Sequence, residues 1–155
     1  MKLIAHRGLV DGPNSLIENS PQQIERALSA SFDAEIDVWY VDGSWWLGHD
    51  QPQYRTNLGF LSDSRLWIHA KNDGAAFALL DLTRGGHKLN FFWHDKDERT
   101  LTSMGFWWTF PNQSLGPLSV AVMPEWHVDP SVLKLWTQQQ TCFAVCSDFV
   151  GKIKE

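Results

Sequence analysis

The sequence predicts an α/β fold: a reduced TIM-like β/α barrel of seven or eight mostly parallel strands, with several outer helices missing. Three observations predict it. Short apolar runs recur along the chain, and nearly every one ends in polar or titratable residues. Helix-like stretches lie between several of these runs, and strand then helix, repeated, is the pattern of a parallel sheet. Polar residues at many strand ends suit a β/α barrel, whose strand ends share one mouth. A doubly wound sheet instead gathers its site at one switch point behind a Gly-rich turn, and no such turn occurs here. A complete eightfold barrel takes ~250 residues. The 155 residues of this chain fit a smaller one, read as a single domain over residues 1–155.

Each element follows from local pattern. Leu3-Ile4-Ala5 leads into His6-Arg7, and Ala34–Trp39 carries Glu35 and Asp37. Trp45–Leu47 leads into His49-Asp50, and Leu66–Ile68 into His69 and Lys71. Leu89–Trp93 leads into His94-Asp95, and Phe106–Phe110 into Pro111-Asn112. Val120–Met123 leads into Pro124-Glu125, and Phe143–Cys146 into Ser147-Asp148. Ser20 as N-cap and Pro21 at the first helical position open a helix carrying Ile24, Ala27 and Leu28 on one face. Further helices are expected over Asp73–Leu82, over Lys96–Met104, and over Pro130–Gln139 with Asp129 as its cap. The stretch Asp50–Asp63 shows no clean helical period, and the connection from Thr109 to Leu118 has no room for a helix.

Composition bounds the function. Apolar residues make up 43% of the chain and charged residues 20%, which excludes disorder as the main state. No apolar run approaches the ~20 residues of a bilayer span, and the N-terminal stretch does not read as a signal peptide. The net charge is −5 with no basic cluster, which argues against nucleic acid as a partner. Cys142 and Cys146 match neither a CxxC nor a zinc pattern. They read as reduced core residues of a cytoplasmic protein. Nine Trp is a high number. Strand faces left bare by missing helices would need cover from a second copy of the chain, so a homodimer is expected.

The residues at the strand ends suggest phosphoryl chemistry. Glu35 and Asp37 alternate, so one strand face aims both carboxylates into one site. Such a pair holds a hard divalent cation, Mg²⁺, Ca²⁺ or Mn²⁺, which would neutralise an anionic substrate. Arg7 can clamp a phosphate bidentately. His6 and His49, on different strand ends, can act as base and acid near neutral pH. His94 and Glu125 end other strands and are candidates for substrate binding and for an additional metal ligand. His87 and His127 read as ordinary surface or core histidines.

The ordered elements IAHRG (4–8), IENS (17–20), AEIDV (34–38), VDG (41–43) and LGHD (47–50) resemble the N-terminal signature of the glycerophosphodiester phosphodiesterase family, among the phospholipase-C-like phosphodiesterase barrels. The resemblance covers about the first third of the chain. It implies a hydrolase of lipid metabolism acting on a small phosphodiester, with His6 and His49 as the acid/base pair and Glu35 and Asp37 as metal ligands. In the family a third ligand is the Glu of an E-x-K element. Here that element is His69-Ala70-Lys71. His69 is thus implied as the third ligand, and imidazole suits Mn²⁺ better than Ca²⁺. Lys71 matches the family's phosphate-side lysine, and Cys146–Phe149 (CSDF) resembles its last strand end. The substitution at 69 and the short chain motivate an alternative: a non-catalytic or divergent barrel binding a phosphorylated sugar or polysaccharide precursor, with Trp39, Trp93 or Trp126 as stacking surfaces.

Overall fold

The computed structural model describes residues 1–154. In chain order it contains β1 (Lys2–Ala5), α1 (Pro21–Ser29), β2 (Asp33–Val41), β3 (Ser44–Leu47), β4 (Tyr54–Thr56), α2 (Leu58–Leu61) and β5 (Leu66–Ala70). These are followed by α3 (Asp73–Arg84), β6 (Phe91–Phe92), β7 (Arg99–Leu101), β8 (Trp107–Thr109), β9 (Ser119–Val122), α4 (Leu133–Gln138), β10 (Ala144–Ser147) and α5 (Val150–Lys154).

The expected barrel does not form. The ten strands make one curled, mixed sheet, a half-barrel, with only five short helices among the described residues. A parallel path runs β6-β5-β2-β1-β10-β9-β8. Three antiparallel pairings, β2–β3, β3–β4 and β7–β8, extend it. β6 pairs with β5 alone, so no backbone ladder closes the sheet.

Two local causes make the sheet mixed. Asp42 and Gly43 both have positive φ, 49° and 71°, and Val41 pairs with Ser44 across them. A two-residue Asp-Gly loop with both residues left-handed is the turn that matches strand twist in a hairpin, so β2 folds back into β3. The second cause overturns the helix expected over Lys96–Met104. Arg99–Leu101 pairs with Trp107–Thr109 as a strand, and Thr102 N donates to Phe106 O at 2.8 Å to close the turn.

Other local expectations match the structure. Ser20 Oγ accepts from Gln23 N at the start of α1. Asn72 caps α3 by accepting from Ala75 N at 3.0 Å. Asp129 accepts from Ser131 N, but a 3₁₀ turn over Pro130–Val132 precedes the shorter α4. A single helical turn, α2, stands where no period was visible, capped by Asn57.

β2 is buried on both faces. Ala34, Ile36 and Val38 lie under Ile24 and Leu28 of α1 and Ala75 and Leu79 of α3. Inside the curl, Ile4, Trp67, Phe92, Trp108, Val120 and Cys146 form one apolar cluster drawn from six strands. Phe92 stacks on Trp108 with ring centroids 4.5 Å apart, so side chains join the strands that the backbone leaves unpaired. Asp33, Glu35 and Asp37 share the inner face of β2. Asp33 pairs with Lys2 at 2.8 Å at one end of the curl. Both cysteines are free. No helix among the described residues is long and apolar enough to cross a membrane.

Candidate active site

One cavity of about 200 Å³ gathers His6, Arg7, Glu35, Asp37, His49, His69, Lys71 and His94, which come from five separate chain segments. Eight of the nine expected site residues therefore lie together; Glu125 does not line the cavity.

His6 and Arg7 occupy a tight turn at the end of β1. Arg7 is left-handed, with φ 51°, a conformation a non-Gly residue adopts at a cost. The turn aims Arg7 N at Glu35 Oε2, 3.0 Å away. Gly8 follows at φ 77°, where a Cβ would stand 3.1 Å from the backbone of Ile24, so only glycine lets α1 approach this closely. His6 Nδ1 is 2.8 Å from Asp148 Oδ1, and Nε2 lies 3.9 Å from Glu35 Oε2. Burial disfavours the imidazolium, but the Asp148 hydrogen bond and the Glu35 charge outweigh it, and the His6 pKa is raised.

β2 delivers Glu35 and Asp37, and β5 delivers His69 directly beside Asp37 in register. His69 Nδ1 is 2.9 Å from Asp37 Oδ1 and 4.0 Å from Glu35 Oε1. Lys71 Nζ stands 3.4 Å from Asp37 Oδ1. Arg7 Nη1 donates to Glu18 Oε2 at 3.0 Å. Arg7 Nε lies 3.3 Å from Asp37 Oδ2 but is not aligned to donate. The two carboxylates differ sharply. Burial would raise Asp37, but the hydrogen bond from His69 and the charges of His69, Lys71 and Arg7 hold it well below the usual carboxylate range. Burial and the neighbouring Asp37 charge push Glu35 up.

That electrostatic imbalance is a test of whether a cation fits. Ligand atoms of Glu35, Asp37 and His69 all lie within 4.8 Å of one another. Glu35 is a buried carboxyl beside a like charge, and the His6 and His69 nitrogens approach it only to 3.9 and 4.0 Å. Two carboxylates and one imidazole suit a divalent cation such as Mn²⁺. The residues present fit.

His49 follows β3. Gly48 has φ 147°, and a Cβ there would lie 2.1 Å from Gln51 O, so glycine is required at this bend. Gly48 N donates to Asp37 O at 3.1 Å, and Trp39 Nε1 donates to Gly48 O at 2.6 Å. His49 is anchored to β2 in this way, and its Nδ1 is 2.7 Å from Asp50 Oδ1. His94 stacks on His69 at 4.5 Å between centroids. Burial, with the charges of His69 and Lys71, lowers its pKa to about 4, so it is neutral at physiological pH. Its Nδ1 has no partner.

Glu125, the other expected metal ligand, stands outside the Glu35–Asp37–His69 cluster. Its Oε1 accepts from Asp148 N at 2.8 Å and from Ser147 Oγ at 3.0 Å. Oε1 thus braces the end of β10, Oε2 is buried without a partner, and burial raises the Glu125 pKa.

Two further residues belong to the site beyond those expected to carry its chemistry. Asp148 holds His6, and Asn19, buried and left-handed at φ 56°, holds Asp37. The signals were the IENS and CSDF stretches, whose polar residues read as helix-entry and strand-end positions. Comparison of the chain with family models, with curated proteins and with solved structures gives no match.

Proposed function

We propose that the protein is a metal-dependent phosphodiester hydrolase of the glycerophosphodiester type. One observation carries the reading: a carboxylate–carboxylate–imidazole cluster shares one cavity with two carboxylate-held histidines and two cationic side chains. A divalent cation bound by Glu35, Asp37 and His69 would neutralise charge on the phosphodiester oxygens. Arg7 and Lys71 add positive charge on the same wall. They offer the guanidinium fork and the ammonium that phosphate binding uses.

The histidines do the proton work. Asp148 fixes the His6 ring through Nδ1, which leaves Nε2 as the nitrogen that exchanges protons; Asp50 does the same for His49. One takes the proton from an attacking water or neighbouring substrate hydroxyl. The other gives a proton to the departing alkoxide. His94, neutral, lines the cavity beside His69 and contributes its ring to substrate binding.

A second reading, anion binding without turnover, is favoured by Trp126, which is 59% exposed and lines the cavity. Such a ring can stack on a sugar. A panel of cations against an aryl phosphodiester and glycerophosphodiesters separates the two. Turnover with Mn²⁺ or Mg²⁺ that chelator abolishes supports the hydrolase. Ligand binding without turnover under every cation overturns it in favour of the second reading.

A further inference from the structure

β1, β10 and β9 are parallel neighbours, and their last residues stand in register: Ala5 beside Ser147, and Cys146 beside Val122. The residues that follow the three strands therefore meet. His6 follows β1, Asp148 follows β10, and Met123-Pro124-Glu125 follows β9. Met123 is left-handed at φ 47°, a conformation rarely adopted by a residue with a long side chain. Its N donates to Cys146 O at 2.8 Å. This turn carries Glu125 back over the end of β10.

Glu125 stands two hydrogen bonds from His6. Its Oε1 accepts from Asp148 N at 2.8 Å, and Asp148 Oδ1 is 2.8 Å from His6 Nδ1. Ser147 Oγ donates to the same Glu125 oxygen at 3.0 Å and accepts from Phe149 N at 2.9 Å. Gly12 N donates to Asp148 O at 2.8 Å, so Asp148 is held at both its amide and its carbonyl. The arrangement costs stability: Glu125 Oε2 is buried without a partner, and a buried polar group without a hydrogen bond opposes folding.

We propose that Glu125 is a positioning residue of the hydrolysis. By holding the Asp148 amide it fixes the Asp148 carboxylate, which sets the orientation of the His6 ring and the nitrogen that carries its proton. An ionised carboxylate only accepts, so Nδ1 donates to Asp148 and Nε2 of the neutral ring is the free base. The role rests on the phosphodiesterase reading, in which His6 exchanges protons during the reaction.

Nitrogen NMR reads the His6 ring without turnover, with Mg²⁺ present as a diamagnetic cation and at a pH where the ring is neutral. The His6 signals are those missing from His6→Ala. In the wild type Nδ1 should carry the proton. Glu125→Leu, which removes the acceptor, should shift the population toward the Nε2-protonated ring. Glu125→Gln, which keeps an oxygen, should leave it as in the wild type. Glu125→Asp, one methylene shorter, withdraws the oxygen and serves in place of the leucine variant should that fold poorly. Kinetics supply a second measure. Glu125→Leu should lower kcat by about 10–100-fold with KM unchanged. It should add nothing in a His6→Ala background, because groups that act as a unit are not additive. A His6 ring unchanged in both the Leu and the Asp variants, or an equal loss of kcat with and without His6, overturns the positioning role and leaves the phosphodiesterase reading intact. No turnover by the wild type under any cation overturns that reading and the role in hydrolysis with it, while the His6 signals still report whether Glu125 sets the ring.

Discussion

Asn19 and Asp37 close a reciprocal pair: Asn19 Nδ2 donates to Asp37 Oδ2 at 2.9 Å, and Asp37 N donates to Asn19 Oδ1, also at 2.9 Å. Both residues are buried. The pair fixes the carboxylate that His69, Lys71 and Arg7 all approach. Asn19→Ala removes both bonds and strands Asp37 N in the interior. Hydrogen bonds to charged groups contribute about 1.5–3 kcal/mol and neutral ones about 0.5–1.5. The variant should lose about 2–4 kcal/mol, a fall in Tm of roughly 5–15 °C for a chain of this size. Denaturant unfolding measures it, and an unchanged midpoint would show that Asp37 is held without Asn19.

Cation binding should be visible as stability. A ligand at 100 times its Kd adds about 2.7 kcal/mol, or roughly 5–10 °C in Tm. Mn²⁺ should produce such a shift and chelator should reverse it. Glu35→Gln should abolish it, since one charged ligand is lost. Asp37→Asn is the harsher change, because it leaves Lys71 and Arg7 facing a neutral group, and loss of one partner from a buried ionic cluster costs about 3–5 kcal/mol. Identical melting curves with Mn²⁺, Mg²⁺, Ca²⁺ and Zn²⁺ would rule the cation site out.

Much of the site was legible because its signals are local. Alternation in Glu35-Ile36-Asp37-Val38 decides which side chains share a face, and the Ser20–Pro21 cap decides where α1 begins. The fold was misread where one signal had two readings. Asp42-Gly43 reads as a motif element and also as a hairpin turn, and the turn is what makes the sheet mixed. Arg99–Leu101 has a helix-compatible sequence, yet it gains more by pairing with β8, a long-range contact that overrides propensity. Glu125 at a strand end reads as a ligand. Only the fold brings the Asp148 amide and the Ser147 hydroxyl to it, 23 and 22 residues along the chain.

The raised pKa of Glu125 predicts a pH dependence of stability. Burial penalises its ionised form, so the folded carboxyl holds its proton to higher pH than the unfolded one. Between the unfolded value, ~4.3, and the higher folded value, the native state binds more protons. Its contribution is therefore fully present below ~4.3 and is lost as pH rises through the folded pKa. Glu125→Gln keeps an oxygen acceptor for Ser147 and Asp148 and does not titrate. Its stability relative to wild type should rise from pH 4 to 8, measured by urea unfolding at each pH. Parallel profiles for the two proteins would mean that Glu125 ionises in the fold without penalty.

The two histidines predict a kinetic contrast. General acid–base catalysis contributes about 10²–10⁴-fold per group, so His6→Ala and His49→Ala should each lower kcat by about that much on glycerophosphodiesters. Groups that act as a unit are not additive, and the double variant should be little slower than the slower single one. An aryl leaving group departs without protonation. On an aryl phosphodiester, the variant lacking the acid should recover most of its activity, and the variant lacking the base should not. Asp148→Asn should follow the His6 variant in this pattern, because Asp148 Oδ1 is what fixes the His6 ring at 2.8 Å. Asp50→Asn should have a smaller effect, since Asp50 is 91% exposed in its side chain and water can replace it. Wild-type rates in both histidine variants would remove the acid/base assignment and leave the cavity as an anion-binding site.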